Sequence, residues 1–256
     1  MTNPNFIALH TIAHREVVRI LRIWAQTLVP PAITMTLYFL IFGNLVGRRI
    51  GDMGGFTYMD FIVPGLVMMS IIQNAYGNIS SSFFGAKFGR HVEELLVSPM
   101  PNWVILGGYV AGGVLRGLMV GVIVLIIAMF FTPVRVPHPF VMLSTVLLGA
   151  SIFSLAGFVN AVYARKFDDI AIIPTFILTP LTYLGGVFYS IALLPSWAQT
   201  MTHLNPIFYM VNSFRYGLLN HSDVPLWVAY SVMLFFVFAL TWLSLRLLAK
   251  GVGLRS

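Results

Sequence analysis

Cysteine is absent from the 256 residues and charge is scarce, with only 9% of positions charged. The first absence excludes a disulfide framework and any thiolate metal site. The second excludes an ordinary soluble surface, since soluble domains carry about 25% charged residues. Carboxylates are scarcer still: 8 Asp and Glu face 15 Lys and Arg, a formal net charge of +7. In a soluble protein that excess would point to nucleic acid. Here it fits basic residues facing an anionic leaflet, and no nucleic-acid role is expected. No G-x-x-x-x-G-K-[ST] run occurs, so a nucleotide held by a phosphate loop is excluded. The first twenty residues lack an apolar h-region followed by a small-residue cleavage site, so the first span is expected to serve as its own insertion signal.

Other absences narrow the class. No internal repeat is evident, and the broken fifth span described below has no counterpart among the first three, which argues against an inverted-repeat transporter. The spans hold almost no carboxylates to relay ions, which argues against a secondary transporter or channel. Six histidines lie at 10, 14, 91, 138, 203 and 221, none within a span, so Ser151 of Gly149-Ala150-Ser151 has no base for proteolysis. His10 and His14 have i, i+4 spacing, but with no third ligand nearby they do not make a metal site.

What is present is apolar. Hydrophobic residues make up 58% of the chain, more than a soluble domain of this length can bury. A spanning helix needs about 20 mainly apolar residues, and six stretches qualify: 24–46, 58–79, 103–131, 140–163, 170–189 and 226–248. The expected class is an all-α integral membrane protein built as one transmembrane domain. The first stretch carries Pro30-Pro31, and the fifth is broken by Pro174, Pro180 and Gly185-Gly186.

The distribution of Lys and Arg orients the chain. With the N-terminus inside, ten of the fifteen cations fall on inner segments: Arg15, Arg19, Arg22, Lys87, Arg90, Arg165, Lys166, Arg246, Lys250 and Arg255. Arg48, Arg49, Arg135 and Arg215 fall outside, and Arg116 lies within the third span. Both termini are therefore expected in the cytoplasm. Residues 6–23 predict an amphipathic helix along the membrane surface, with Phe6, Ala13, Val17, Ile20 and Trp24 on one side and Arg15, Arg19 and Arg22 nearly opposite. Residues 191–220 are too polar to span and too aromatic for a simple loop, and predict short helices dipping into the outer leaflet.

The most informative stretch joins the second and third spans and includes Arg90-His91-Val92-Glu93-Glu94-Leu95-Leu96-Val97-Ser98-Pro99. Glu93 and Glu94 suit the positive end of a short helix over about 90–98, and Pro99 stops it. Leu95, Leu96 and Val97 are expected to leave an apolar tip with flanking charge, the form of a docking site for another protein.

This run resembles the coupling-helix signature of ABC-2-type transporter permeases, Glu-x-Leu-Leu-x-Ser/Thr-Pro after an Arg-containing approach. The run Pro180-Leu181-Thr182-Tyr183-Leu184-Gly185-Gly186-Val187-Phe188-Tyr189 resembles the fifth-span signature of the same family, continued by Leu194-Pro195, Asn205-Pro206, Tyr209 and Arg215. It departs where many relatives have Phe-Pro after the double glycine; here the residues are Phe188-Tyr189-Ser190. The resemblance implies a permease subunit of the bacterial inner membrane, itself not an enzyme, working as a homodimer with two copies of a separate cytoplasmic ABC ATPase. ATP and Mg would reside in that partner, and this chain would bind no cofactor or metal. Arg90, Glu93, Glu94, Leu95, Leu96, Val97, Ser98 and Pro99 would receive the ATPase, and Asp168 and Asp169 would make a second contact. The resemblance favours export, and the aromatic-rich spans favour a hydrophobic or amphipathic cargo. Candidates for the pathway or its gate are Asn74, Asn78, Arg116, Tyr183, Gly185 and Gly186. Other polar span residues, Gln26, Asn44, Gln73 and Asn160, are read as helix-to-helix hydrogen bonds. Gly108, Gly112, Gly113, Gly117 and Gly121 in the third span let neighbouring helices approach closely.

Overall fold

A computed structural model of the chain describes residues 3–53 and 55–253, with Asn44 and Arg48 described by backbone alone. The side chains of those two residues, and Arg255, therefore lie outside the described residues.

Among the described residues the regular structure is helical apart from one short two-stranded ribbon. Helix α1 (Pro4–Arg22) leads into α2 (Trp24–Tyr38), which continues as a π-helical stretch over Phe39–Val46 and then α3 (Gly47–Ile50). Strands β1 (Asp52–Met53) and β2 (Phe56–Thr57) pair antiparallel. After them come α4 (Tyr58–Phe88), α5 (His91–Val97), α6 (Asn102–Ala128) and α7 (Pro139–Tyr163). A broken segment follows: α8 (Asp169–Ile173), a π turn over Pro174–Leu178, and α9 (Thr179–Tyr183). A short 3-10 turn, then α10 (Ser196–His203), α11 (Pro206–Leu219) and α12 (Leu226–Lys250) complete the chain.

Among the described residues, four helical runs are long and apolar enough to cross a membrane: Trp24–Gly43, Asn102–Ala128, Pro139–Tyr163 and Leu226–Lys250. Their outer faces stay apolar and uncovered, with Phe140 86%, Trp227 73%, Phe238 70% and Ile126 51% exposed. Faces of that kind are stable against lipid and aggregate in water. Helix α4 is different. At 31 residues it is the longest helix, yet it carries Ser70, Asn74, Asn78 and Ser80, all buried. It packs most extensively on α7 and α6. A helix enclosed by protein can afford polar groups that a lipid-facing helix cannot.

Glycines set how closely the enclosing helices approach. A Cβ on Gly157 of α7 would lie 2.6 Å from the Tyr76 carbonyl oxygen and 2.6 Å from Ile79 of α4. On α6, a Cβ at Gly117 would meet Ala75 and the Ile71 carbonyl oxygen at 3.2 Å. The α6 glycines thus pack within the chain, against α1, α4 and α7.

The facing of helix α1 departs from the amphipathic reading. Its buried residues are Ile12, Glu16 and Ile20, whereas Phe6 is 65% exposed and Trp24 57% exposed. It packs lengthwise on α6, where Leu9 meets Gly107, Ile12 meets Gly108 and Glu16 meets Gly112, and it reaches α4 through the side chains of Glu16 and Arg19. Two of the three arginines expected to face away turn inward instead. Arg15 donates to the Tyr109 hydroxyl at 2.6 Å, and Arg19 donates to Asn78 Oδ1 at 2.7 Å. The reason is Glu16, whose carboxylate sits in the seam because Ser82 donates to one oxygen at 2.6 Å and Arg19 to the other at 2.9 Å. Side-chain periodicity carries no trace of such cross-helix partners.

Candidate functional site

Helix α4 stops at Gly89, whose N–H bonds the Gly85 carbonyl at 2.9 Å. The chain then turns at Arg90, held at φ 60°. That left-handed conformation costs a non-glycine residue about 1–2 kcal/mol, so the turn is fixed by its surroundings. It aims α5 back across the end of α4. Glu93 and Glu94 occupy the first turn, where carboxylates suit the helix dipole. Ser98 closes the other end: its N–H bonds the Glu94 carbonyl at 3.2 Å and its hydroxyl the Leu95 carbonyl at 2.8 Å. Pro99 follows, exposed.

The apolar side chains of α5 do not form an open tip. Val92, which sequence reasoning passed over, is buried and joins Phe84, Val104 and Leu106 in a second core cluster. Leu95 and Leu96 are half-buried against that cluster. Val97 alone projects, at 87% exposure, beside exposed Arg90 and Glu94. Helix α5 is thus seated on one face and bare on the other.

A second element sits beside it. Lys87, in the last turn of α4, donates to the carbonyls of Val162 at 2.6 Å and Ala164 at 2.7 Å and so caps the end of α7. Burial, and then the charge of Arg165, push the Lys87 ammonium below its usual pKa. Phe167 packs edge-on against Phe84 with ring centroids 5.0 Å apart, and lies 5.1 Å from Phe88. Phe88 and Phe167 also keep much of their surface bare, 66% and 55%. Asp169 accepts the backbone N–H of Arg165 at 2.8 Å and of Lys166 at 3.0 Å, bonds that hold its carboxyl below the usual range. Asp169 is therefore spent on folding the 164–168 turn, while Asp168 is exposed. A lysine, two phenylalanines and a valine of this corner were not singled out from sequence; the density of aromatics on both flanking segments was the available signal.

The chain's relatives can now be set beside this geometry. The ABC-2 type transporter family model matches residues 7–219. The chain belongs to the ABC-2 type transporter family. As an ABC-2 permease it is a membrane transport protein with membrane-spanning helices, and its family is not one of enzymes. It is 58% identical to the inner membrane transport permease YadH of Escherichia coli strain K12, over all of both chains. It is also 23% identical to nodulation protein J of Sinorhizobium fredii strain NBRC 101917 / NGR234, over 84% of this chain and 82% of that protein. Nodulation protein J of Neorhizobium galegae is 23% identical over 78% of this chain and 79% of that protein.

The residues of the ABC-2 permease read as pathway candidates do not line one surface. Asn74 is buried, and its amide donates to the Ser70 carbonyl of its own helix at 3.0 Å. Asn78 belongs to the α1 seam through Arg19, and Arg116 is half-buried one helical turn beyond Gly112 on α6. Tyr183 is 41% exposed, and its hydroxyl lies 3.2 Å from that of Tyr38. Gly185 and Gly186 are buried in a tight turn, with Gly186 at φ 71°. That turn lies so close to α4 that a Cβ on Gly65 would stand 2.7 Å from the Val187 carbonyl oxygen. Arg215, fully buried, secures it by donating to the Gly186 carbonyl at 2.7 Å, with its guanidinium 3.9 Å from the centre of the Phe61 ring. Asn205 donates to the Leu181 carbonyl at 2.5 Å and ties α11 to α9.

Proposed function

We propose that this permease is the membrane-spanning subunit of an ATP-driven ABC exporter that moves a hydrophobic or amphipathic substrate across the inner membrane. Two copies of the chain pair with two copies of a separate cytoplasmic ABC ATPase, which carries the ATP and Mg. The observation that carries this reading is the form of α5: Val92, Leu95 and Leu96 anchor it to the core, while Val97, Arg90 and Glu94 face outward. A helix fixed on one side and bare on the other passes a push on its bare side into α4 and α6, which are rigid elements with only two short connections to it. The Phe88–Phe167 contact links the same push to the α7–α8 turn, where exposed Asp168 offers the second contact.

Six crossings with both termini cytoplasmic complete the reading. Four are the long apolar runs. The fifth is α4, whose polar groups face protein. The sixth is the α8–α9 segment, broken by Pro174 and Pro180, with the turn at Gly185-Gly186 beyond it. The segment from the 3-10 turn through α11 packs at the outer leaflet. Aromatic faces on the spans favour apolar or amphipathic cargo, and the absence of a phosphate loop from the sequence supports a reading in which the partner hydrolyses ATP.

The test is copurification of the tagged permease with its ATPase, comparing wild type with Val97→Glu and Phe88→Glu. Both side chains are exposed, so each variant should fold and lose the ATPase along with ATP-driven transport. Full association and transport in both variants would sink the docking role of this corner. Transport with no ATPase present would instead support a secondary transporter or channel.

A further inference from the structure

The seam where α1 meets α6 and the side chains of α4 contains more positive charge than it neutralises. Of the eight Asp and Glu residues, Glu16 alone lies on α1, on α6 or on the 74–88 half of α4. Both its oxygens are already used, one by Ser82 and one by Arg19. Against it stand Arg15, which reaches Tyr109, Arg19, and Arg116. Arg116 lies one helical step beyond Gly112, the residue that receives Glu16. No hydrogen bond or ion pair from any described residue reaches Arg116. Three donors here are buried without partners: Arg19 Nε, Asn78 Nδ2 and Arg116 Nε. A half-buried cation with no carboxylate to spare is costly unless an anion arrives.

The depth of the cluster identifies the anion's source, and this step rests on the six-crossing orientation above. From Tyr58 to Asn78, α4 rises about 30 Å at 1.5 Å per residue, the thickness of the hydrocarbon layer. The apolar run of α2 likewise begins at Trp24, so Arg19 stands at the same inner boundary. Side chains of a helix lean toward its N-terminus, which for α6 is the cytoplasmic end, so Arg116 reaches toward that level. Phosphodiester groups of the inner leaflet lie there. They offer one negative charge spread over several acceptor oxygens, matched to guanidinium forks.

We propose that the arginine cluster where α1, α4 and α6 meet binds the phosphate of an anionic phospholipid, with Arg116 and Arg19 as its donors. The bound lipid would lock α1 to the bundle beside the α5 corner.

The experiment is a thermal melt of the purified full-length permease in detergent with added phosphatidylglycerol, phosphatidylcholine or inorganic phosphate. At roughly a hundredfold excess over Kd, phosphatidylglycerol should raise the melting temperature of wild type by roughly 5–10 °C. Phosphatidylcholine should do much less. Arg116→Gln should lose most of the shift, and Arg22→Gln, an exposed arginine on the same helix, should keep it. An equal shift in Arg116→Gln would overturn the proposal, as would an equal response to phosphatidylcholine. An Arg116-dependent shift produced in full by inorganic phosphate would reject the lipid as ligand. Should Arg116→Gln not fold, phenylglyoxal labelling of wild type replaces it: phosphatidylglycerol should protect Arg116, and unchanged labelling would overturn the proposal. No ATPase enters these assays, so their failure would leave the docking test standing.

Discussion

Replacing Gly157 by alanine should destabilise the permease, although the same change in a helix normally helps. Alanine gains about 1 kcal/mol over glycine in a helix interior. At position 157 the new methyl would stand 2.6 Å from the Tyr76 carbonyl oxygen, 2.6 Å from Ile79 and 3.0 Å from Ser80 Oγ. A backbone carbonyl cannot step aside as a side-chain end can, so α7 must move off α4. Overpacking of this kind costs about 1–3 kcal/mol, which outweighs the propensity gain at most of that range. The matched control is Gly77→Ala on α4, where a Cβ meets nothing within 4 Å. That variant should be neutral or more stable by up to about 1 kcal/mol. The two variants should therefore differ by about 2 kcal/mol, or roughly 4–8 °C in the melting point of a domain this size. Melting followed by size-exclusion chromatography of detergent-purified protein reads the difference. Gly157→Ala melting level with Gly77→Ala would refute the close α4–α7 crossing on which the fold is built.

The remaining predictions concern charged groups. Lys87 is held below its usual pKa by burial, so its protonated form is disfavoured by folding. Its contribution to stability rises as pH climbs through the lowered value toward 10.5, and the melting gap between wild type and Lys87→Met should shift in favour of wild type as pH is raised toward 10.5. Asp169 has the opposite sign: its lowered carboxyl contributes above the usual value of 3.8 and loses that contribution as pH falls through the folded value. Limited proteolysis at the 164–168 turn should therefore stay slow at neutral pH and quicken on acidification in wild type, while Asp169→Ala should be cut quickly throughout. Arg215→Leu strands the Gly186 carbonyl and a partly buried Asp223, whose carboxylate lies 3.9 Å from the guanidinium. A loss of about 3–5 kcal/mol is expected, seen as collapse of the folded fraction on expression.

The helical class was legible because composition and apolar runs are bulk properties that no local exception reverses. The family was legible from two short runs, Glu93 to Pro99 and Pro180 to Tyr189, whose breakers and charges are read residue by residue. What stayed hidden depends on partners far away in sequence. Arg15 meets Tyr109 and Glu16 meets Ser82, so a helix that looks amphipathic buries a carboxylate and leaves Phe6 bare. The same blindness covered α5, where Leu95 and Leu96 were read as open because Val104 and Leu106, which sit in the cluster beneath them, belong to the next helix. The extent of α4 past residue 79 was also hidden: Phe83 and Phe84 pack into the second cluster, and the helix runs through Gly85 to stop at Gly89.

The central claim is that the bare side of α5 receives an ATPase. A photo-crosslinking residue placed at Val97, with a second at buried Val92 as control, tests it in living cells. Mass spectrometry of the crosslinked product should find peptides of a cytoplasmic ABC ATPase at position 97 and none at position 92. An ATPase that copurifies with the permease yet never crosslinks at position 97 would contradict the account.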